Sequence, residues 1–121
     1  MLVRYVGLVK ALKEDEADVK PEPIKNRVTE MTGVDYPILQ APMGWIARAQ
    51  LASAVSNSGA MGIIETSSGE FDAIQDEVRK MHELTDKPFG MNVALAFVKG
   101  TNVVDFVIEQ GIKFVTTSSG C

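Results

Sequence analysis

Short apolar runs alternate with amphipathic stretches along most of the chain. Four runs rich in apolar and β-branched residues predict strands, at 38–42, 61–65, 89–94 and 113–117. Between them, apolar positions recur at helical spacing and predict helices, at 48–58, from Ser67 to about Leu84, and at 102–110. Strands that are nearly continuous in apolar residues are typical of parallel strands covered on both faces. The pattern therefore predicts consecutive βα units.

The ends of these helices carry sequence signals of their own. Gly59 and Gly111 follow the first and third helices, where a left-handed backbone is favourable for glycine. Ser67, with Glu70 three residues later, predicts a capping box at the start of the second helix. Pro88 lies shortly after that helix and prevents its continuation. Each predicted helix therefore has a defined start or end.

The first part of the chain differs from this pattern. Segment 1–12 mixes apolar and basic residues, and it is too short and too charged to span a bilayer. The acidic run 14–16 follows at once, without the cleavage site of a signal peptide. We expect a short surface helix or a disordered extension there, followed by a linker at 20–23, where two prolines prevent a helix. The chain is therefore divided into an extension and linker at 1–25 and an α/β unit at 26–121.

A doubly wound open sheet and a (β/α)8 barrel share this alternation of elements. Small and polar residues stand at the carboxyl end of every predicted strand, and both folds bind ligands on that edge. The loop after the first strand lacks the G-x-G-x-x-G spacing of dinucleotide-binding units, and no P-loop pattern occurs in the sequence. The favoured fold class is therefore a partial (β/α)8 TIM barrel, formed by its first four βα strands.

Composition narrows the range of functions. The 121 residues carry a net charge of −4 and are 45% hydrophobic, which suits one globular core. Mild acidity without a run of Lys or Arg gives no electrostatic reason to expect nucleic acid as a partner. Cys121 is the sole cysteine, so no internal disulfide can form and a reducing, cytoplasmic setting is favoured. His82 lies beside an apolar helical stripe and is interpreted as a helix-flank residue rather than a catalytic group.

The stretch 36–45 is the strongest candidate for a site. It runs as an apolar strand into Pro42, Met43 and Gly44, and α/β proteins place flat cofactors at strand ends with little side-chain bulk. The alternative is a plain strand-to-helix turn in which Met43 fills a gap at the barrel mouth. Trp45 either covers the cofactor or packs on the first helix, and the sequence leaves both possibilities open.

Further polar residues at strand ends are candidate ligands. Asn92 lies in an apolar strand, where an unpartnered amide would cost about 1–3 kcal/mol, so a polar ligand is expected. Glu65 ends the second strand, either as a general base or paired with a neighbouring strand. Thr116, Thr117 and Ser118 form either a substrate edge lined with hydroxyls or ordinary loop polarity. Glu65, Thr117 and Ser118 are therefore the candidate substrate residues, and no catalytic residue is assigned.

Four sequence blocks carry a family resemblance, at 28–43, 57–64, 87–93 and 114–120. Their order and spacing resemble those of the nitronate monooxygenase family, once called 2-nitropropane dioxygenases. The resemblance implies an FMN-dependent (β/α)8 barrel that oxidises alkyl nitronates with O2 and without a metal. FMN-dependent enoyl-acyl-carrier-protein reductase has a similar opening sequence, so the resemblance equally allows that activity.

The resemblance also implies roles for single residues. Four consecutive residues would lie against the isoalloxazine ring of FMN: Ala41, Pro42, Met43 and Gly44. Asn92 would hydrogen-bond the polar edge of that ring. A neutral amide suits this edge because it both donates and accepts, as the alternating N and O atoms of a flavin require.

The resemblance covers part of a barrel. A complete (β/α)8 barrel takes about 250 residues, and the loops that hold the cofactor phosphate usually follow its last strands. The family's catalytic histidine is also expected in the later half, and His82 does not match it. Four strands leave two open sheet edges, which favour pairing with a second copy or with a separate carboxyl-terminal half. We therefore expect weak FMN binding and no nitronate oxidation by the chain alone; a non-catalytic half-barrel or assembly module is the further alternative.

Overall fold

The computed structural model describes residues 21–97 and 101–120. Within them the elements, labelled in chain order, are α1 Arg27–Thr32, α2 Ala49–Asn57, β1 Gly62–Ile64, α3 Phe71–Leu84, β2 Phe89–Ala94, α4 Asn102–Glu109 and β3 Phe114–Ser118. Residues 21–25 have no regular secondary structure, and the division of the chain at residue 25 stays a prediction. The extension predicted at 1–12 lies outside the described residues. None of the described helices is both long and apolar enough to span a membrane.

The three strands form one parallel sheet in the order β1-β2-β3. Gly62 stands opposite Phe89, and Gly90 stands opposite Phe114. Each strand therefore pairs with the one that precedes or follows it in the sequence. The α/β class with parallel strands is confirmed, and closure into a barrel stays a prediction.

The strand predicted at 38–42 is wrong. Its pairing is limited to a single parallel bridge between Leu39 and Met61. Pro42 has no N–H group with which to continue a ladder, and the chain turns towards α2 directly after it. The segment nevertheless runs parallel to β1, on the side away from β2.

Glycines follow α2 and α4 as predicted. Gly59 has a φ of 96° and Gly111 has a φ of 66°, both in the left-handed region. The predicted capping box of α3 is wrong, because Glu70 takes the N-cap position and no side chain caps the helix there. Ser67 instead donates its hydroxyl to Glu65, at 2.9 Å. The hydroxyl of Ser67 therefore bonds to Glu65 instead of capping the helix.

The short helix α1 is not predicted by apolar spacing. The side chain of Asn26 accepts hydrogen bonds from the N–H groups of Val28 and Thr29, and Thr29 Oγ1 accepts from Asn26 N at 3.0 Å. This reciprocal pair is a capping box made with Asn and Thr instead of the Ser and Glu pattern. The helix is therefore started by its cap rather than by an apolar stripe.

Helices α2, α3 and α4 cover one face of the sheet. Ile64, Met91 and Val93 project from the strands into the main core, which also contains the buried helix residues Ala52, Ile74, Val78, Met81, Val103, Phe106 and Val107. On the opposite face of the sheet lies a smaller cluster of Val34, Met61 and Ile63, with Phe114 packed against it.

Helix α2 lies directly on β1. A Cβ atom at Gly62 would stand 2.0 Å from Ala52 O. Ser56 Oγ accepts a hydrogen bond from Gly62 N at 3.2 Å and donates to Pro88 O at 2.9 Å, which joins the helix to two neighbouring strands. Glycine is therefore required at position 62 for steric reasons.

His82 lies exposed in the last turn of α3. Its ring meets Phe89 edge-on, with 5.3 Å between the ring centroids. The predicted position on the flank of a helix is confirmed, and the contact lies near the amino end of β2.

Candidate functional site

The turn that follows Leu39 meets the loop after β1 at the carboxyl edge of the sheet. Met43 O accepts a hydrogen bond from Ala47 N at 2.8 Å, which closes the turn. A Cβ atom at Gly44 would stand 2.9 Å from Ser67 Oγ, so a larger residue here would displace the hydroxyl of the neighbouring loop. Ala41 and Met43 are exposed beside this contact. The turn is thus fixed on one side and open on the other.

Glu65 is the buried centre of this junction, with 0% of its surface exposed. Its Oε1 accepts a hydrogen bond from Trp45 N at 3.2 Å. Its Oε2 accepts from Ser67 Oγ and from Ser68 N, both at 2.9 Å. Arg48 Nε lies 3.4 Å from Oε1 and forms an ion pair with it. The carboxylate therefore joins the loop after β1 to the turn before α2.

The pKa of Glu65 reflects these contacts. Burial by itself raises the pKa, but hydrogen bonds from Ser68, Ser67 and Trp45 outweigh it, so the pKa lies below the ordinary glutamate value. The carboxylate is ionised at neutral pH, and both of its oxygens are occupied. Glu65 is therefore paired, but with its own loop and the turn before α2 instead of the neighbouring strand that was expected, and the geometry does not favour the general-base alternative.

Trp45 stands at the surface next to the turn. Its backbone has a φ of 65°, and 64% of the residue is exposed. The guanidinium carbon of Arg48 lies 5.0 Å from the centroid of the indole ring, a cation–π contact. Trp45 therefore packs on the side chain that begins α2 rather than in the core.

Asn92 is buried and is linked to β3. Its Nδ2 donates to Thr116 Oγ1 at 2.9 Å and lies 3.3 Å from Thr116 O. Its Oδ1 accepts from Ser118 Oγ at 2.9 Å. Part of the hydrogen bonding of Asn92 that was expected from a ligand is thus supplied by the neighbouring strand. A contact from Asn92 to a cofactor stays a prediction.

Thr117 is not brought to this cluster. Asn92 pairs in register with Thr116, and Val93 pairs with Thr117. Side chains alternate between the two faces of a strand, so Thr117 lies on the same face as the core residue Val93. The structure therefore joins Ser118 to Asn92 and separates Thr117 from both.

Gln40 is a site residue that the sequence analysis does not single out. Its Nε2 donates to Ala41 O and Ile63 O, both at 3.1 Å. Its Oε1 is buried and has no hydrogen-bond partner among the described residues. Gln40 could have been recognised from the sequence as a polar residue in an apolar segment directly before the turn.

A sequence model of the nitronate monooxygenase family matches residues 25–111 of the chain. The chain belongs to the nitronate monooxygenase family. The matched range contains the turn at 41–44, Glu65 and Asn92, whereas the candidate residues at 116–118 lie beyond it. The family resemblance noted in the sequence is thus confirmed over the matched range, and the roles of the single residues stay predictions.

Relatives of this nitronate monooxygenase family member have more than one recorded activity. A (3aS,4S,5R,7aS)-5-hydroxy-7a-methyl-1-oxo-octahydro-1H-indene-4-carboxyl-CoA dehydrogenase of Mycobacterium tuberculosis is 32% identical over 90 residues, 74% of this chain and 25% of that protein. A probable nitronate monooxygenase of Staphylococcus aureus is 39% identical over 69 residues, 57% of this chain and 19% of that protein. The structure of FabK from Thermotoga maritima matches with a TM-score of 0.73 and 33% identity, over 80% of this chain and 31% of that one. The chain therefore spans a third or less of the length of these relatives.

Two cavities flank the sheet of this nitronate monooxygenase family member. One, of about 460 Å³, lies at the amino edge of the strands and is lined in part by Gly33, Phe89 and Phe114. The other, of about 220 Å³, lies at the carboxyl edge and is lined in part by Thr66 and Phe97. Neither cavity includes the turn at 41–44. The exposure of Ala41 and Met43 leaves this part of the candidate site open at the carboxyl edge of the sheet.

Proposed function

We propose that this chain contributes the flavin-ring contacts of an FMN-dependent oxidoreductase of the nitronate monooxygenase type, which oxidises alkyl nitronates with O2. One observation carries the proposal: the turn at 41–44 lies open at the carboxyl edge of a parallel sheet and is held by buried Glu65. Ligands of α/β proteins bind at this edge. Membership of the family supports the flavin chemistry.

The proposal includes a barrel architecture. The segment around Leu39 and the three strands lie side by side in chain order. A doubly wound sheet reverses its order at a switch point, whereas a barrel does not. Asn92, Thr116 and Ser118 share the face of the sheet opposite the helices, which is the interior face of a barrel.

The residues present fit a flavin ring. Ala41 and Met43 are exposed, and neither Pro42 nor Gly44 adds bulk that would keep a flat ring from the backbone. Gln40 Oε1 lacks a donor among the described residues, and the N–H group on the polar edge of a flavin is a donor. A bound FMN would supply the electron transfer from substrate to O2, and these residues would hold its ring.

Asn92 has a limited capacity for this ring. Its amide N–H groups face Thr116, and one lone pair of Oδ1 is occupied by Ser118. The second lone pair of Oδ1 is the atom position from which Asn92 can serve a ligand. We therefore propose Asn92 as an acceptor toward the flavin edge, next to Gln40.

The phosphate of FMN is proposed to be held outside the described residues. Arg48 is the basic side chain nearest the turn in sequence, and Glu65 and Glu70 already lie 3.4 and 3.7 Å from it. Ring contacts without a phosphate site predict weak binding that does not depend on the phosphate. Nitronate turnover by the 121-residue chain alone is accordingly not expected.

Titration of the purified chain with FMN and with riboflavin, which lacks the phosphate, tests this proposal. Quenching of Trp45, the sole tryptophan, reports binding. The two affinities are expected to agree within about a factor of two, which corresponds to about 0.4 kcal/mol. An affinity for FMN more than about tenfold higher would assign a phosphate site to this chain and contradict that part of the proposal. Absence of binding by either flavin would overturn the proposal as a whole.

A pair of exposed methionines provides the matched control. Met43→Glu places a charge against the proposed ring and is expected to abolish flavin binding. Met31→Glu changes an exposed methionine on α1, which lies near the opposite edge of the sheet. Flavin affinity is expected to stay unchanged in this second variant, and equal losses in both would indicate a general effect of charge.

Two alternatives from different classes are tested in parallel. The enoyl-acyl-carrier-protein reductase alternative is supported by the sequence resemblance, and it predicts consumption of a nicotinamide in place of nitronate-dependent O2 uptake.

The non-catalytic alternative is a module that associates through the open edges beside Leu39 and β3 with a second copy or a carboxyl-terminal half. Gel filtration with flavin absorbance separates these, since a colourless oligomer favours the module. A cytoplasmic setting belongs to the proposal in each case.

A further inference from the structure

Trp45 combines two properties that the proposed function does not yet use. Its φ of 65° lies in the left-handed region, which bulky residues avoid. Its ring is largely exposed, at 64% for the residue, so core packing does not hold it in place. A strained backbone persists where the surrounding structure imposes it, and such strain is common at functional sites.

The contacts of Glu65 account for the strain. Trp45 N donates to Glu65 Oε1 at 3.2 Å, which fixes the peptide that precedes the indole. The other carboxylate oxygen is held by Ser67 Oγ and Ser68 N at 2.9 Å, so the acceptor itself cannot move. The carboxylate thereby fixes the backbone from which the indole projects.

Arg48 sets the orientation of the ring. Its guanidinium carbon lies 5.0 Å from the indole centroid, and its Nε lies 3.4 Å from Glu65 Oε1. One face of the indole is therefore covered by a cation, and the high exposure of Trp45 leaves the other face open. An open aromatic face next to the turn at 41–44 suits a flat conjugated ligand.

We infer that Glu65 is a positioning residue that acts through Trp45: its carboxylate holds the indole as a wall of the ligand site beside the turn at 41–44. This inference rests on the proposed function for the identity of the flat ligand, which is a flavin ring. Glu65 does not touch the ligand itself, because none of its surface is exposed. The ionised state fits this role, since its pKa is lowered by the same donors.

A comparison of Glu65→Gln with Glu70→Gln tests the inference. In the first variant an amide N–H2 must face either Trp45 N or Ser68 N, so one hydrogen bond is replaced by two opposed donors. Glu70 also pairs with Arg48, at 3.7 Å, but its side chain is 51% exposed and makes no contact with Trp45 N. Each variant therefore removes one carboxylate charge beside Arg48, and Glu65→Gln also perturbs the hydrogen bond from Trp45 N.

Two measurements are made on the full chain, with circular dichroism as a check on folding. Acrylamide quenching of Trp45 without flavin reports how the indole is held, and a riboflavin titration reports the ligand site. Glu65→Gln is expected to change the quenching constant and to weaken riboflavin binding about tenfold, the loss of one hydrogen bond to a charged group. Glu70→Gln is expected to match the wild type in both.

Several outcomes would overturn the inference. Wild-type quenching in Glu65→Gln would show that the carboxylate does not hold Trp45, and equal changes in both variants would assign the effect to the charge on Arg48. If Glu65→Gln does not fold, Ser67→Ala keeps the charge and removes one of its donors, and a smaller change in the same direction is expected; no change would again overturn the inference. A wild type that binds no flavin contradicts the proposed function, whereas the quenching arm still decides whether Glu65 holds Trp45.

Discussion

Substitution of Gly44 by alanine offers a quantitative test of the junction between the turn and the loop after β1. The added Cβ would stand 2.9 Å from Ser67 Oγ but 4.0 Å from Ser67 Cβ, so the hydroxyl alone obstructs it. Rotation of that hydroxyl relieves the contact and breaks its hydrogen bond to Glu65. In a partly buried setting, a bond to a charged group contributes about 1.5 kcal/mol. Loss of glycine flexibility in the unfolded chain returns about 0.5 kcal/mol.

The expected destabilisation is therefore about 1 kcal/mol for Gly44→Ala and about 1.5 kcal/mol for Ser67→Ala. In the double variant the obstructing hydroxyl is absent, so Gly44→Ala becomes slightly stabilising in the Ser67→Ala background. Urea unfolding followed by circular dichroism gives the free energies, and an unchanged denaturant slope shows that the unfolded state is comparable. A double variant that loses about 2.5 kcal/mol, the additive value, would refute the reasoning.

Three further predictions follow from buried contacts. The free energy of unfolding is expected to fall as pH drops below about 4.5 toward the lowered pKa of Glu65, because the native carboxylate binds protons less readily than the unfolded one. Glu65→Gln is expected to flatten this pH dependence. Urea midpoints of the wild type and of Glu65→Gln, compared from pH 7 to pH 3, separate the contribution of Glu65 from the similar one of Glu77. Asn92→Ala removes contacts to β3 and is expected to cost about 1–3 kcal/mol in urea unfolding; a loss below about 0.5 kcal/mol would contradict the contacts. Gly62→Ala places Cβ 2.0 Å from Ala52 O and is expected to cost about 3 kcal/mol or to prevent folding, while a neutral result in thermal unfolding would contradict the close packing of α2 on β1.

The parts of the fold that were predictable depend on local patterns. The strand at 89–94 and the helix ends at Gly59 and Gly111 follow from apolar continuity and from glycine geometry. The strand at 38–42 failed because apolar continuity does not reveal where pairing partners end, and Pro42 ends them early. The capping box failed because Ser67 is used by Glu65, which the local pattern cannot indicate.

The candidate site was predictable in outline and not in its connections. The sequence located Glu65 and Asn92 at strand ends, but their partners depend on which strands are neighbours and on the register between them. Thr117 illustrates the second point, because a shift of one residue separates it from Ser118 on the opposite face. Gln40 was missed because its unpartnered oxygen can be recognised only once the positions of all neighbouring donors are known.

The chain order of the sheet has a consequence for synthesis on the ribosome. The segment at Leu39 pairs with β1, β1 with β2, and β2 with β3, so each emerging strand finds its partner already made. Parallel strands pair across a crossover helix and therefore form slowly, but domains begin to fold while the chain is still growing. The nascent sheet can therefore grow by one βα unit at a time, and at every stage its newest strand presents the edge onto which the next unit is added.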